Sequence, residues 1–231
     1  MAKINTEYIG VDETGVGDYF TPVVSVACYI PNYNIEKIKA LGIKDSKKLT
    51  DKKIIEIAKE IENKKLVYYR KTILSQKGYN NLTKMNINNN AVKTLIHFNS
   101  ISRLVNSLKK NLPIVIDQYS SLDKIKEHNL KLKEKNFFLD VNINDYQLIL
   151  ETKAEDEYLS VACASILARY ILLNIMEEQK KKYNGFNFKL GASNQIIDIA
   201  AEFIKKYGEK ELYNVAKVSF KTTEKAKNKI N

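Results

Sequence analysis

Tyr8-Ile9-Gly10-Val11-Asp12-Glu13-Thr14-Gly15-Val16-Gly17-Asp18-Tyr19-Phe20 is the stretch from which the rest of the chain is best read. A short apolar run ends in two adjacent carboxylates, and two glycines and a third carboxylate follow. Desolvating a carboxylate is costly unless a cationic group or a metal compensates. Something cationic is therefore expected at this strand end. Adjacent strand residues point to opposite faces. Asp12 and Glu13 are thus expected to share a site only if the chain leaves regular strand geometry there, which the following glycines make feasible.

Working outward, residues 22–30 are β-branched and apolar and read as a buried strand. They are expected to pair with residues 8–11 as an antiparallel hairpin, with Gly15, Gly17 and Asp18 in the turn. Residues 34–41 have helical spacing. Residues 42–49 form a polar loop carrying Lys44, Lys47 and Lys48, and Thr50 reads as the N-cap of a helix through Glu62. A third strand is expected at 66–74 and an asparagine-rich loop at 80–90. A long helix follows over about 88–110. Residues 112–118 are a short apolar run ending in Asp117, the pattern of a buried central strand. A short helix over 121–133 and a fifth strand over 148–153 come next. A helix from about 157 to 182 is apolar on most of its surface and so should be central. The loop 185–191, a helix over 194–207 and a lysine-rich tail after Lys217 complete the chain. No repeat or linker stands out. The expectation is one domain over residues 1–231: an α/β fold with a five-stranded mixed sheet flanked by helices and a helical C-terminal part.

The chain has 231 residues, 44% of them hydrophobic, and a formal net charge of +11. Such an excess suggests a polyanionic partner, most simply nucleic acid; the codon bias of an AT-rich genome would also produce it. Cys28 and Cys163 lie in apolar runs, and with only His97 and His128 far off in sequence they do not make a zinc site. Buried reduced thiols fit a cytoplasmic protein. The apolar stretch 161–176 is broken by Ser165, Arg169 and Asn174, and no membrane span is expected.

Three places share one pattern, an apolar strand or strand–helix junction ending in acid: Asp12-Glu13, Asp117, and Glu155-Asp156-Glu157. Alone, Asp117 reads as a turn residue or N-cap, and the 155–157 run as charge complementing a helix dipole. Together they are more specific. Clustered carboxylates repel unless a cation is present, magnesium takes oxygen ligands, and three or four carboxylates around a phosphate suit two-metal phosphoryl transfer.

At these residues the sequence resembles the type 2 ribonucleases H, most closely ribonuclease HIII, from about Tyr8 to the C-terminal tail. The motifs are Asp12 to Phe20, Asp45-Ser46-Lys47-Lys48-Leu49, Lys84-Met85-Asn86 with His97-Phe98-Asn99, Ile116-Asp117-Gln118-Tyr119, Lys153-Ala154-Glu155 with the block from Tyr158 to Arg169, and Ser219 to Ala226. The resemblance implies a ribonuclease H-like fold. It also implies a metal-dependent endonuclease that cuts the RNA strand of RNA–DNA hybrids to 5′-phosphate and 3′-hydroxyl ends. It assigns Asp12, Glu13, Asp117 and Glu155 as catalytic acids holding Mg²⁺ or Mn²⁺. The backbone of Gly15-Val16-Gly17, with Thr14 before it, is implied to read the ribose 2′-hydroxyl. Lys44, Ser46, Lys47 and Lys48 are expected on substrate phosphates; without the motif these lysines would read as a solvated loop. A monomer is expected. The family commonly has Val and Thr where this chain has Thr14 and Val16, and Gly where it has Thr21. An N-terminal substrate-binding domain similar to the TATA-binding protein is usual in ribonuclease HIII and is expected to be absent here. The competing readings are ribonuclease HII-like removal of single ribonucleotides from duplex DNA, and a noncatalytic hybrid-binding module.

Overall fold

The computed structural model describes residues 7–43, 49–137 and 142–230. In chain order its elements are β1 (Ile9–Thr14), β2 (Val23–Tyr29), α1 (Ile35–Ala40), α2 (Asp51–Asn63), β3 (Tyr68–Leu74), α3 (Gln76–Lys84), α4 (Asn89–Leu108), β4 (Ile114–Asp117), α5 (Leu122–Glu134), β5 (Leu148–Glu151), α6 (Ala154–Glu157), α7 (Leu159–Lys182), α8 (Asn194–Tyr207), α9 (Glu209–Val215) and α10 (Lys221–Asn228). They group into two compact units. The first comprises Met1–Thr14, Val24–Thr72 and Asn90–Ile171, and the second Gly15–Val23, Ile73–Asn89 and Leu172–Asn231.

The first unit is built on the expected five-stranded mixed sheet, in the order β3-β2-β1-β4-β5. β1 pairs antiparallel with β2 from Ile9↔Tyr29 to Thr14↔Val24, so the expected hairpin forms. β1 runs parallel to β4 (Ile9↔Ile114, Val11↔Ile116), and β4 parallel to β5 (Ile114↔Leu148, Asp117↔Glu151). Strand residues alternate between faces. The odd residues Ile9 and Val11 join Ile114 and Ile116 in a core closed by Phe98, Ile101 and Leu104 of α4. On the other face Val115 packs with Val161 at the start of α7. There Gly10 is required: a Cβ at that position would lie 2.3 Å from the Ser160 carbonyl carbon. Helix entry is chemically marked, with Thr50 accepting from the Lys53 N–H and Ser121 from the Lys124 N–H.

The second unit is helical and corrects two expectations. Residues 80–90 are not all loop, because α3 runs to Lys84, capped by Ser75. Asn80 is buried within it. Its Nδ2 donates to the Tyr213 and Ala216 carbonyls at 3.0 and 2.8 Å, and its Oδ1 accepts from the Val218 N–H at 3.0 Å. An asparagine that looks like a turn former is thus a buried amide staple. Residues beyond Lys217 are not a tail. α10 buries Thr222, Thr223 and Ala226, and the Tyr19 and Thr223 hydroxyls share a hydrogen bond of 2.8 Å. β5 also stops at Glu151, short of the expected 153, because Lys153 adopts φ 55°. Contrary to expectation, α7 is long and apolar enough to cross a bilayer by length and composition, but most of its apolar window is buried inside the protein, as in a core helix.

Candidate active site

β1, β4 and β5 run parallel, so their C-terminal ends share one edge of the sheet, where functional groups tend to collect. Asp12 and Glu13 lie near the end of β1, and Asp117 closes β4. After β5 the left-handed Lys153 turns the chain into α6. That turn brings the Ala154 N–H onto Asp117 Oδ1 at 3.0 Å and buries the Glu155 side chain, the second residue of the helix. A cleft of about 390 Å³ opens at this edge. Asp12, Glu13, Asp117 and Glu155 all line it, together with Thr14, Ser165 and Arg169.

Asp12 and Glu13 do not leave strand geometry. They stay in β1, in register with Val26 and Ser25. They therefore project to opposite faces. The cleft receives both because it opens past the strand end, where either face can reach it. Glu13 turns to α4: Lys93 Nζ is 2.5 Å from Oε1, and His97 Nε2 donates to Oε2 at 2.9 Å. Asp12 lies on the α7 side, hydrogen-bonded to Ser165, with its Oδ1 accepting the Glu13 N–H at 2.8 Å.

This asymmetry separates the two acids electrostatically. Burial, then the Glu13 charge, pushes the Asp12 carboxyl up to about 8; the Asp117 charge adds to this, and the Ser165 and Glu13 N–H hydrogen bonds oppose it. For Glu13, burial works upward but is outweighed by the hydrogen bond and charge of His97 and then of Lys93, which hold it down at about 2. Tyr119 fixes this arrangement. Its ring stands edge-on to His97 at 5.3 Å and lies 5.4 Å from Lys93 Nζ, and its hydroxyl shares a hydrogen bond of 2.9 Å with Thr94. At the cleft wall Arg169 forms a forked pair with Asp51, at 3.0 and 3.2 Å.

The four predicted acids bring only carboxylate oxygens, the donors that hard divalent cations take. Among the described residues no three His, Cys, Asp or Glu side chains form a ready metal-ligand set. Magnesium is bound through one or two carboxylates and retains several waters, so an open arrangement fits it. The observation that favours a cation here is Asp12, a carboxyl held up by burial and then by the charges of Glu13 and Asp117, both of which an added cation relieves.

Of the other predicted residues, Thr14 lines the cleft. Gly15, Val16 and Gly17 follow it in the chain and belong to the second unit. Gly15 adopts φ 86°, and a Cβ there would lie 2.2 Å from the Pro22 carbonyl oxygen; around Gly17 nothing lies within 4 Å of a Cβ position. Lys44, Ser46, Lys47 and Lys48 lie outside the described residues. Lys93, His97, Asp51, Ser165 and Arg169 were given no role from sequence. Lys93 and His97, and likewise Ser165 and Arg169, are four residues apart and so share a helix face, but α4 and α7 carry other polar residues and the spacing alone does not single these out.

A family model described as Ribonuclease HII matches residues 9–223. Ribonuclease HIII of Bacillus mycoides (strain KBAB4) is 36% identical over 220 residues, covering 94% of this chain and 67% of that protein. Ribonuclease HIII of Phytoplasma mali (strain AT) is 37% identical over 221 residues, covering 94% and 71%. Among solved structures, Bst-RNase HIII in complex with Mn²⁺ is similar with a TM-score of 0.89 and 33% identity, covering 97% of this chain and 70% of that one.

Proposed function

Since this chain belongs to the type 2 ribonuclease H family, matching the ribonuclease HII model and ribonuclease HIII relatives, we propose that it cuts the RNA strand of RNA–DNA hybrids at the carboxylate cleft. The chain is a metal-dependent ribonuclease H endonuclease, and Mg²⁺ or Mn²⁺ is its ion. The observation that carries the assignment of the site is the convergence of Asp12, Glu13, Asp117 and Glu155 on one cleft, with Asp12 raised by burial and then by its neighbours' charge.

Asp12, Glu13, Asp117 and Glu155 would hold the metal. Divalent ions at such a site lower the pKa of an attacking water and neutralise charge on a scissile phosphate, leaving 5′-phosphate and 3′-hydroxyl ends. The protein's own part is orientation. Ser165 and the Glu13 N–H fix the Asp12 carboxyl, and the Ala154 N–H fixes Asp117. Lys93 and His97 keep Glu13 ionised and immobile. Arg169, braced by Asp51, offers positive charge at the cleft wall for a phosphate. Thr14 and the Gly15-Val16-Gly17 backbone contact the ribose. Lys44, Ser46, Lys47 and Lys48 contact phosphates, a reading supported by the net charge of +11. The two free, buried cysteines support a reducing, cytoplasmic setting.

The test is cleavage of a labelled hybrid with Mg²⁺ or Mn²⁺ against a chelator control. Asp12→Asn is expected to abolish cutting while hybrid binding persists. Cutting of hybrid by that variant in clean preparations would overturn the assignment, and no turnover of the wild type at any Mg²⁺ or Mn²⁺ concentration would favour a noncatalytic module. A duplex with one embedded ribonucleotide is expected to be cut poorly compared with a hybrid containing a run of several.

A further inference from the structure

Lys217 is a charged side chain that the proposed reaction does not use, and it is fully buried. Its Nζ donates to the Gly15 carbonyl at 2.6 Å, the Asp18 carbonyl at 2.5 Å and Thr21 Oγ1 at 3.3 Å. Its backbone N–H donates to the Tyr19 carbonyl at 2.9 Å. One residue, some two hundred positions away in sequence, therefore grips the 15–21 segment with both side chain and main chain. Burial pushes its ammonium down to about 7, opposed by the Asp18 charge. Burying a lysine is costly, and core packing alone would be served by an apolar residue, so the contacts need another explanation.

The segment is held at further points. Thr21 Oγ1 donates to the Gly15 carbonyl at 3.0 Å, and Asp18 Oδ1 accepts from the Gly191 N–H at 2.7 Å. Gly15 itself is fixed by its φ of 86° and by the Pro22 carbonyl facing it. No peptide among the described residues is cis. In a planar trans peptide the N–H points opposite to the C=O. With the Gly15 carbonyl turned onto the ammonium, the Val16 N–H must point away from it. Gly17, next in the chain, is exposed with open space around it.

We propose that Lys217 is a positioning residue for ribose recognition: its ammonium sets the plane of the Gly15–Val16 peptide so that the Val16 N–H is presented to the substrate's 2′-hydroxyl. The inference rests on the reading that the 15–17 backbone contacts the ribose. A lysine that only stabilised the fold would lower the amount of active enzyme for every substrate alike. A lysine that aims a donor changes the discrimination between riboses.

The experiment compares kcat and KM of wild type, Lys217→Met and Gly17→Val on two hybrids, one with ordinary ribose and one with 2′-fluoro-2′-deoxyribose at the cutting position. Circular dichroism and thermal melting check folding. Lys217→Met is expected to raise KM on the ribose hybrid and to reduce the preference for ribose about tenfold, the effect of one misdirected hydrogen bond. Lys217→Gln, which keeps an amide donor, should retain part of the preference, and it serves as the test if the methionine variant does not fold. An unchanged preference in the folded Lys217 variants, with Gly17→Val reducing it, overturns the role of Lys217 and leaves the loop reading standing. An unchanged preference in all of them overturns both.

Discussion

Asp12→Asn is expected to destroy cleavage and, in the absence of metal, to stabilise the protein. Asp12 is raised from an ordinary 3.8 to about 8. The folded chain thus holds this proton more tightly than the unfolded chain, and stability falls as pH rises from about 4 to about 8. At pH 7 the folded carboxyl is mostly protonated while the unfolded one is ionised, and taking up that proton costs the fold at most ~4 kcal/mol, at 1.36 kcal/mol for each tenfold change. Partial solvent access at Asp12 reduces this, and asparagine retains an acceptor for the Glu13 N–H. A net gain of about 2–3 kcal/mol, or roughly 5–10 °C in Tm for a chain of this size, follows. The assay is thermal melting in chelator at several pH values. The gap between variant and wild type should widen up to about pH 8 and level off above it, and should shrink at pH 5 to about two fifths of its pH 7 value. Saturating Mg²⁺ should raise the wild type more than the variant, since binding stabilises the state that binds. A variant that melts at or below wild type at pH 7.5, or a gap independent of pH, would refute the electrostatic reasoning.

Three other perturbations follow from the same geometry. Lys93→Met removes one of the two partners that hold Glu13 near 2; urea unfolding should show a loss of about 1–2 kcal/mol at pH 7. Because a lowered acid gives stability that is present above about 4.5 and lost as pH falls toward 2, the loss should shrink in acid. Gly10→Ala places a methyl 2.3 Å from the Ser160 backbone, and a destabilisation of about 3 kcal/mol is expected in the same assay. Arg169→Ala should lower kcat/KM on hybrid while changing stability by about 1 kcal/mol or less, since its pairing with Asp51 is partly exposed.

The sheet was legible because each strand carries its signature locally. The apolar runs around Val11, Val26 and Ile116 announce buried strands, and the acids that end them mark the edge where a site forms. Asp12, Glu13 and Asp117 stand out at strand ends, whereas only the resemblance to the ribonuclease H family singles out Glu155 among the three acids at 155–157. The neighbours of the four carboxylates could not be assigned roles, because nothing local in residues 89–108 says that Lys93 and His97 face Glu13 rather than solvent; that depends on how α4 crosses the sheet. Asn80 misled for a related reason. Its side chain serves a distant backbone turn at 213–218, while locally it reads as a loop former. The C-terminal segment after Lys217 misled because its lysines suggest solvent, although the buried face of α10 is made by two threonines and an alanine. The expected break in strand geometry at Asp12 and Glu13 failed for a simpler reason: a cleft beyond a strand end can be reached from both faces.

β1 has one neighbour close in the chain and one far away. The hairpin with β2 closes over a few residues, whereas pairing with β4 joins Ile9 to Ile114 across about a hundred. Loop closure of that length is entropically unfavourable until many contacts form together. During synthesis or refolding, Asp12 and Glu13 therefore emerge on an early hairpin with no Asp117 or Glu155 beside them. A chain interrupted before β5 therefore presents Asp12 and Glu13 without the Glu155 side of the cleft, and the cleft is complete only when the fold is nearly finished.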